Sequence, residues 1–115
     1  MSLQDFINKL RNTPKEVVFS ETISVIEENY VFTSTAFKNG DLQNSNAENL
    51  GSCKVFSFAL KQKLTKEETL ACFGQYYFID VLENPNGTDH QNIRSFMNTG
   101  FEGLIFENET LVEKV

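Results

Sequence analysis

The chain has little of what most recognisable chemistry is built from. It contains no tryptophan, one histidine (His90) and two cysteines, Cys53 and Cys72. A single histidine without a Cys-x-x-Cys pair leaves no zinc ligand set. Two cysteines in 115 residues are too few for a disulfide scaffold and read as reduced, buried thiols. Basic residues are also scarce: ten Lys and Arg stand against sixteen Asp and Glu, for a formal charge of −6. Nucleic acid and anionic membranes are bound through clustered Lys and Arg, so neither is expected as a partner. No apolar window is long enough for a transmembrane helix. No basic region followed by an apolar run marks a secretory signal. There is no Gly-rich phosphate loop and no G-x-S-x-G elbow, and no cofactor is expected. Repeats, linkers and low-complexity runs are missing too, which leaves one domain over residues 1–115.

Phenylalanine is what the chain has most conspicuously, at 11 copies, and it predicts a ring-rich core. Residues 64–100 organise the rest. Thr65 and Glu68 form a capping box, and Glu67 and Glu68 suit the positive end of the helix dipole. The residues that follow, from Leu70 to Leu82, are apolar around nearly the whole circumference, interrupted mainly by Gln75 and Asp80. That pattern predicts a buried central helix over about 65–83. It must stop before Pro85, and Asn84-Pro85-Asn86-Gly87 reads as a type I turn. A further helix over 89–99 restarts at Thr88 or Asp89 as N-cap, presents Ile93, Phe96 and Met97 on one face, and closes with Gly100 as a left-handed C-cap.

Elsewhere, Ser2 and the spacing of Leu3, Phe6, Ile7 and Leu10 predict a first helix ending near Asn12. Val17-Val18-Phe19 is β-prone, and Ser20 is placed to cap a helix carrying Ile23, Ile26 and Tyr30. Residues 31–38 read as a strand, and Asn39-Gly40 as a hairpin turn in which both residues tolerate positive φ. The Asn-rich stretch 43–49 is a loop, either a lid or a plain connection. Residues 51–64 read as a helix through Cys53, Phe56, Leu60 and Leu64, joined to the central helix as an αα-hairpin near Lys63-Leu64. Residues 103–107 and 110–114 read as two strands in a hairpin around Asn108-Glu109, pairing with the strand at 31–38. The sum is an α+β domain of helices on a small antiparallel sheet, or on a strongly curved, barrel-like one.

Three groups of residues are candidates for chemistry. In the first, His90 and Arg94 lie one turn apart on a helix face, beside Asp89 and Asn92. A neutral His90 at a helix start suits a general base or a hydrogen-bonding group, and Arg94 suits a clamp on a carboxylate or phosphate. An anion is also expected on the open amides there. The plainer alternative is a capped helix start, with Arg94 paired to Asp80 or a surface Glu. In the second, Cys53 sits at a helix start beside Lys54, where a lowered pKa would make it a nucleophile; the alternative is an inert buried thiol with Ser52 as N-cap. In the third, Tyr76, Tyr77 and Asp80 are either part of a binding site or a structural hydrogen-bond network. Together these predict a binding protein for a small polar ligand or a protein partner, contacted by His90, Asn92, Arg94, Tyr76, Tyr77 and Asp80. The rival is a small enzyme with His90 as base, Arg94 as anion clamp and Cys53 as a candidate nucleophile.

The motifs Thr35-Ala36-Phe37, Asn39-Gly40, Gly51-Ser52-Cys53-Lys54, Leu70-Ala71-Cys72-Phe73-Gly74, Tyr76-Tyr77, Asp80-Val81-Leu82 and Asp89-His90-Gln91-Asn92-Ile93-Arg94, with Phe96-Met97 and Gly100, resemble the HopJ type III effector family over nearly the whole chain. The resemblance implies a small single-domain bacterial protein, and its name implies secretion into a host cell. It supplies no catalytic residue or substrate. An amphipathic helix beginning almost at residue 2, where export uses a disordered polar leader, instead predicts a place in the bacterial cytoplasm.

Overall fold

A computed structural model describes residues 1–114. Helix α1 (Leu3–Asn12) begins where the Ser2 hydroxyl accepts the Asp5 N–H, and it buries Phe6, Ile7 and Leu10. Helix α2 (Phe19–Asn29) starts two residues earlier than Ser20-capping predicts. Glu21 reaches back to the Val18 N–H at 3.0 Å, so the cap comes from inside the helix. The buried face is accordingly Thr22, Val25 and Ile26.

The predicted strand at 31–38 is two strands, β1 (Tyr30–Phe32) and β2 (Phe37–Asn39), in different sheets. The reason is parity. Tyr30 and Phe32 turn inward in β1 but Phe37 and Asn39 in β2, an odd–even switch that a regular pleat cannot make. The partner strands break at the same level. Here β4 (Leu104–Phe106) pairs with β2, and β5 (Leu111–Glu113) with β1. Tyr30 faces Glu113 and Phe37 faces Phe106, so the register is the same on both sides of the break. Bonds from Thr33 N–H to Thr110 O and from Glu107 N–H to Ala36 O carry it through. Asn108-Glu109 is therefore not a hairpin turn, as the sequence suggested, but the interruption facing Ser34-Thr35. The remaining strand, β3 (Leu42–Asn44), returns from β2 through Gly40-Asp41, where only Gly40 uses positive φ. The fold is α+β with small antiparallel sheets and no closed barrel.

Helix α3 (Leu50–Gln62) is the most enclosed element, with Cys53, Val55, Phe56, Phe58 and Ala59 all at 0% exposure. Phe56 is the hub of the ring-rich core, packing against Phe37, Phe73 and Phe96 at centroid distances of 6.2, 5.4 and 4.9 Å. Leu60, placed on the core face by its spacing, is exposed instead. Helix α3 ends at Lys63, which takes φ 54 while the Leu64 N–H returns to Ala59 O. The chain then turns straight into α4 (Lys66–Ala71) through the expected Thr65–Glu68 capping box.

The helix predicted over 65–83 is interrupted. After α4 the chain passes Gly74 at φ 57 and resumes as a π-helix, Tyr76–Val81. A Cβ at Gly74 would lie 2.7 Å from Phe19 N and 2.8 Å from Val17 O, so the 17–19 segment crosses where only glycine leaves room. The Phe19 N–H is then received by the Gln75 side chain at 3.1 Å. Leu70, Ala71, Cys72, Phe73 and Val81 are buried, whereas Ile79 and Leu82 face solvent. Helix α5 (Gln91–Thr99) follows the Asn84–Gly87 turn, which is closed by a 2.9 Å bond from Gly87 N–H to Asn84 O. Gly100 ends α5 at φ 60 and ψ −153, an extended mirror-image conformation rather than the left-handed helical one expected.

Candidate functional site

Helices α3 and α5 begin side by side, and each is entered through a left-handed residue. These residues are Asn49 at φ 52 and His90 at φ 49, and neither side chain caps its own helix. The first bonds of the two ladders run from Cys53 N–H to Asn49 O and from Arg94 N–H to His90 O. The N–H groups of Gly51, Ser52, Gln91, Asn92 and Ile93 precede those bonds and have no acceptor among the described residues. All five residues line one cleft of about 510 Å³. Its other walls are Leu42, Gln43 and Asn44 of β3 and the rings of Phe19, Phe73 and Tyr76. Among the described residues, no Lys, Arg, Asp or Glu lines it.

A lattice of four asparagines sets the spacing of the walls. Asn92 Nδ2 donates to Asn44 Oδ1 at 3.0 Å and Asn44 Nδ2 donates to Asn92 Oδ1 at 3.2 Å. Asn39 Nδ2 donates to Asn92 O at 2.8 Å, and Asn49 Nδ2 donates to Asn44 Oδ1 at 2.6 Å. These bonds tie β2, β3 and the starts of both helices into one unit. Asn39 Oδ1 is left buried without a partner among the described residues.

His90 faces the cleft with its ring stacked on Tyr76, centroids 5.1 Å apart and planes at 28°. Its Nε2 lies 3.0 Å from Asp80 Oδ2, on the π-helix. The sequence model of the HopJ type III effector protein family matches residues 3–111 of this chain. The chain belongs to the HopJ family. A solved structure described as the crystal structure of the unknown function protein VPA0580 is similar at 53% identity and a TM-score of 0.97, over 99% of this chain and 95% of that one. No curated protein matches the chain.

In this HopJ chain the residues singled out from sequence divide between several places. His90, Asn92 and Tyr76 line the cleft, and Asp80 reaches it through His90. Arg94 does not line the cleft. Arg94 instead donates to Asp89 Oδ1 and Asp89 O, each at 2.7 Å, and to Asn84 O at 2.9 Å. It latches the preceding turn onto α5, and its guanidinium holds the Asp89 carboxyl below the usual carboxylate range. The expected N-cap role of Asp89 is replaced by this ion pair. Tyr77 lies on another side of the π-helix, lining a groove with Leu10, Arg11 and Ala71, and burial pushes its phenol pKa up.

Cys53 is fully buried, with Sγ 4.0 Å from Thr35 O, and burial raises its pKa. It does not line the cleft. Lys54, expected to activate it, pairs with Glu27 at 3.0 Å and sits over the Phe32 ring. Ser52 is the second helical residue after Leu50 rather than an N-cap, and it lines the cleft. The sequence reading did not single out Asn39, Asn44, Asn49 or Ser52 as site residues. The crowding of asparagine between 39 and 49 was the available signal. Among the described residues, no three His, Cys, Asp or Glu side chains come together to hold a metal ion, and no helix is long and apolar enough to cross a membrane.

Proposed function

We propose that this HopJ-family chain is a binding protein that takes a small polar ligand in the cleft where α3 and α5 begin. One observation carries the reading: two unfinished helix starts open into the same cleft. Unbonded main-chain N–H groups, reinforced by the dipoles of both helices, favour a ligand that presents acceptor oxygens, such as a carboxylate or phosphate. The lack of any lining carboxylate supports the same choice. Phe19, Phe73 and Tyr76 supply an apolar wall for the rest of the ligand, and His90 and Ser52 supply side-chain polar contacts.

A thermal-shift screen of the full chain against pooled metabolites, nucleotides and inorganic phosphate tests this. A ligand at a hundred times its Kd adds about 2.7 kcal/mol. For a domain of this size that is on the order of 10 °C. The response is expected to vanish in Ser52→Leu, which places bulk in the cleft, and to persist in Arg94→Ala, which does not line it. No response across the pools would turn the reading toward a protein partner.

Its working place in this reading is the bacterial cytoplasm. Support comes from α1, whose Phe6, Ile7 and Leu10 are packed into the folded core. Export of a reporter fused to residues 1–20 from a type III-competent strain would contradict it and restore the host-directed role in the family's name.

A further inference from the structure

The His90 ring is held on three sides. Its backbone is fixed at φ 49, Tyr76 stacks on one face, and Asp80 takes Nε2 at 3.0 Å. A ring nitrogen facing a carboxylate donates to it, and in a neutral imidazole the other nitrogen is then the acceptor. Among the described residues no group bonds Nδ1, and the residue lines the cleft. The second carboxylate nearby, Asp89, has its Oδ2 3.9 Å from the same Nε2, while its Oδ1 is committed to Arg94. The arrangement is a fixed proton acceptor, backed by a carboxylate, beside main-chain N–H groups that have no acceptor.

We infer that His90 is a general base for hydrolysis of a small carboxylic ester in this cleft, with Asp80 as its positioning residue. The inference rests on the cleft being a ligand site. The nucleophile is water, because Ser52 makes no hydrogen bond to His90 and Cys53 is buried away from the cleft. The oxygen of the water attacks the ester carbonyl carbon, and its proton passes to His90 Nδ1. The carbonyl π pair moves onto oxygen, where unfinished helix N–H groups are suited to receive the charge. The intermediate then collapses, expelling the alkoxide, which takes the proton back from His90. Ester and water become acid and alcohol, and the imidazole is restored.

His90 is the only histidine in the chain, so imidazole signals and imidazole-dependent rates belong to it alone. The test follows p-nitrophenyl acetate hydrolysis by the full chain, with the imidazole 15N spectrum recorded alongside. The wild type is expected to show the tautomer protonated at Nε2. Asp80→Asn keeps an acceptor oxygen and is expected to retain that tautomer, while Asp80→Ala loses it. His90→Ala is expected to lower kcat by about 100-fold or more, within the range of general-base catalysis. Equal rates in wild type and His90→Ala, or a wild-type ring protonated at Nδ1, would overturn the inference. Acetate and phosphate thermal shifts separate the two readings. Shifts that persist when the rates are equal leave the binding cleft standing and remove only the base, whereas loss of both removes both.

Discussion

Asn44 and Asn92, forty-eight residues apart in the chain, exchange both side-chain amide bonds inside the molecule. Each is 5–6% exposed, so water cannot replace a lost partner. Asn92→Ala is expected to cost about 1–3 kcal/mol, because it removes both bonds to the Asn44 amide and the 3.0 Å bond from Asn39 Nδ2 to Asn92 Oδ1, while the Asn39 bond to Asn92 O remains. It should also abolish any ligand response by loosening the cleft. Urea unfolding gives the cost; a value under about 0.5 kcal/mol would show that the lattice does not hold the walls.

Phe73 joins the core to the cleft. It packs against Phe56 on one side and Phe19 on the other. Phe73→Ala is expected to lose about 3–5 kcal/mol. Equilibrium denaturation measures it, and a loss below 1 kcal/mol would refute the burial of this segment.

Two glycines separate backbone strain from crowding. At Gly100 an added Cβ would touch only Lys66 Cδ, at 3.9 Å, so Gly100→Ala is expected to cost about 1 kcal/mol from its positive φ alone. Gly74→Ala adds a collision with the backbone of Val17 and Phe19 and should cost at least about twice as much. Equal midpoint shifts for the two variants would mean that the 17–19 segment gives way.

Acid stability should depend on Glu21. Its carboxyl is held below 4.5 by the Lys9 ammonium at 2.9 Å, with help from the Val18 N–H. A lowered folded pKa contributes stability above the unfolded value, and that contribution is lost as pH falls through the folded value. Glu68 is lowered too, by the Thr65 N–H and Arg11. The melting temperature is therefore expected to fall as pH drops below about 4.5, and Glu21→Gln should flatten part of that limb. A melting curve unchanged by Glu21→Gln between pH 5 and 2 would contradict the pairing.

What the sequence made legible was local. The Ser2 and Thr65 caps, the 84–87 turn and the run of α3 each rest on residues within about a turn of one another, and each stands in the structure. The break at Gly74 was not legible, because it is set by the crossing of a segment more than fifty residues earlier. The split of 31–38 into two sheets needed the facing strands, which lie some seventy residues away. The site was half legible. His90, Asn92, Tyr76 and Asp80 are adjacent or nearly so along helices, whereas the asparagine partners come together only through folding. Arg94 was expected to reach a ligand beside His90, but it bonds Asp89 and Asn84 of the preceding turn, whose shape local residue spacing does not fix.

The unbroken register between residues 30–39 and 104–113 also imposes an order in time. A ribosome releases β1, β2 and β3 early, and the β2–β3 hairpin is free to form at once. The partners of β1 and the other edge of β2 are made dozens of residues later. At roughly 5–20 residues per second, the nascent chain spends several seconds with those edges open. Leu111, wholly enclosed once β5 arrives, is thus synthesised after the other core residues described. A stop codon placed before it should yield a chain that chaperones hold rather than release.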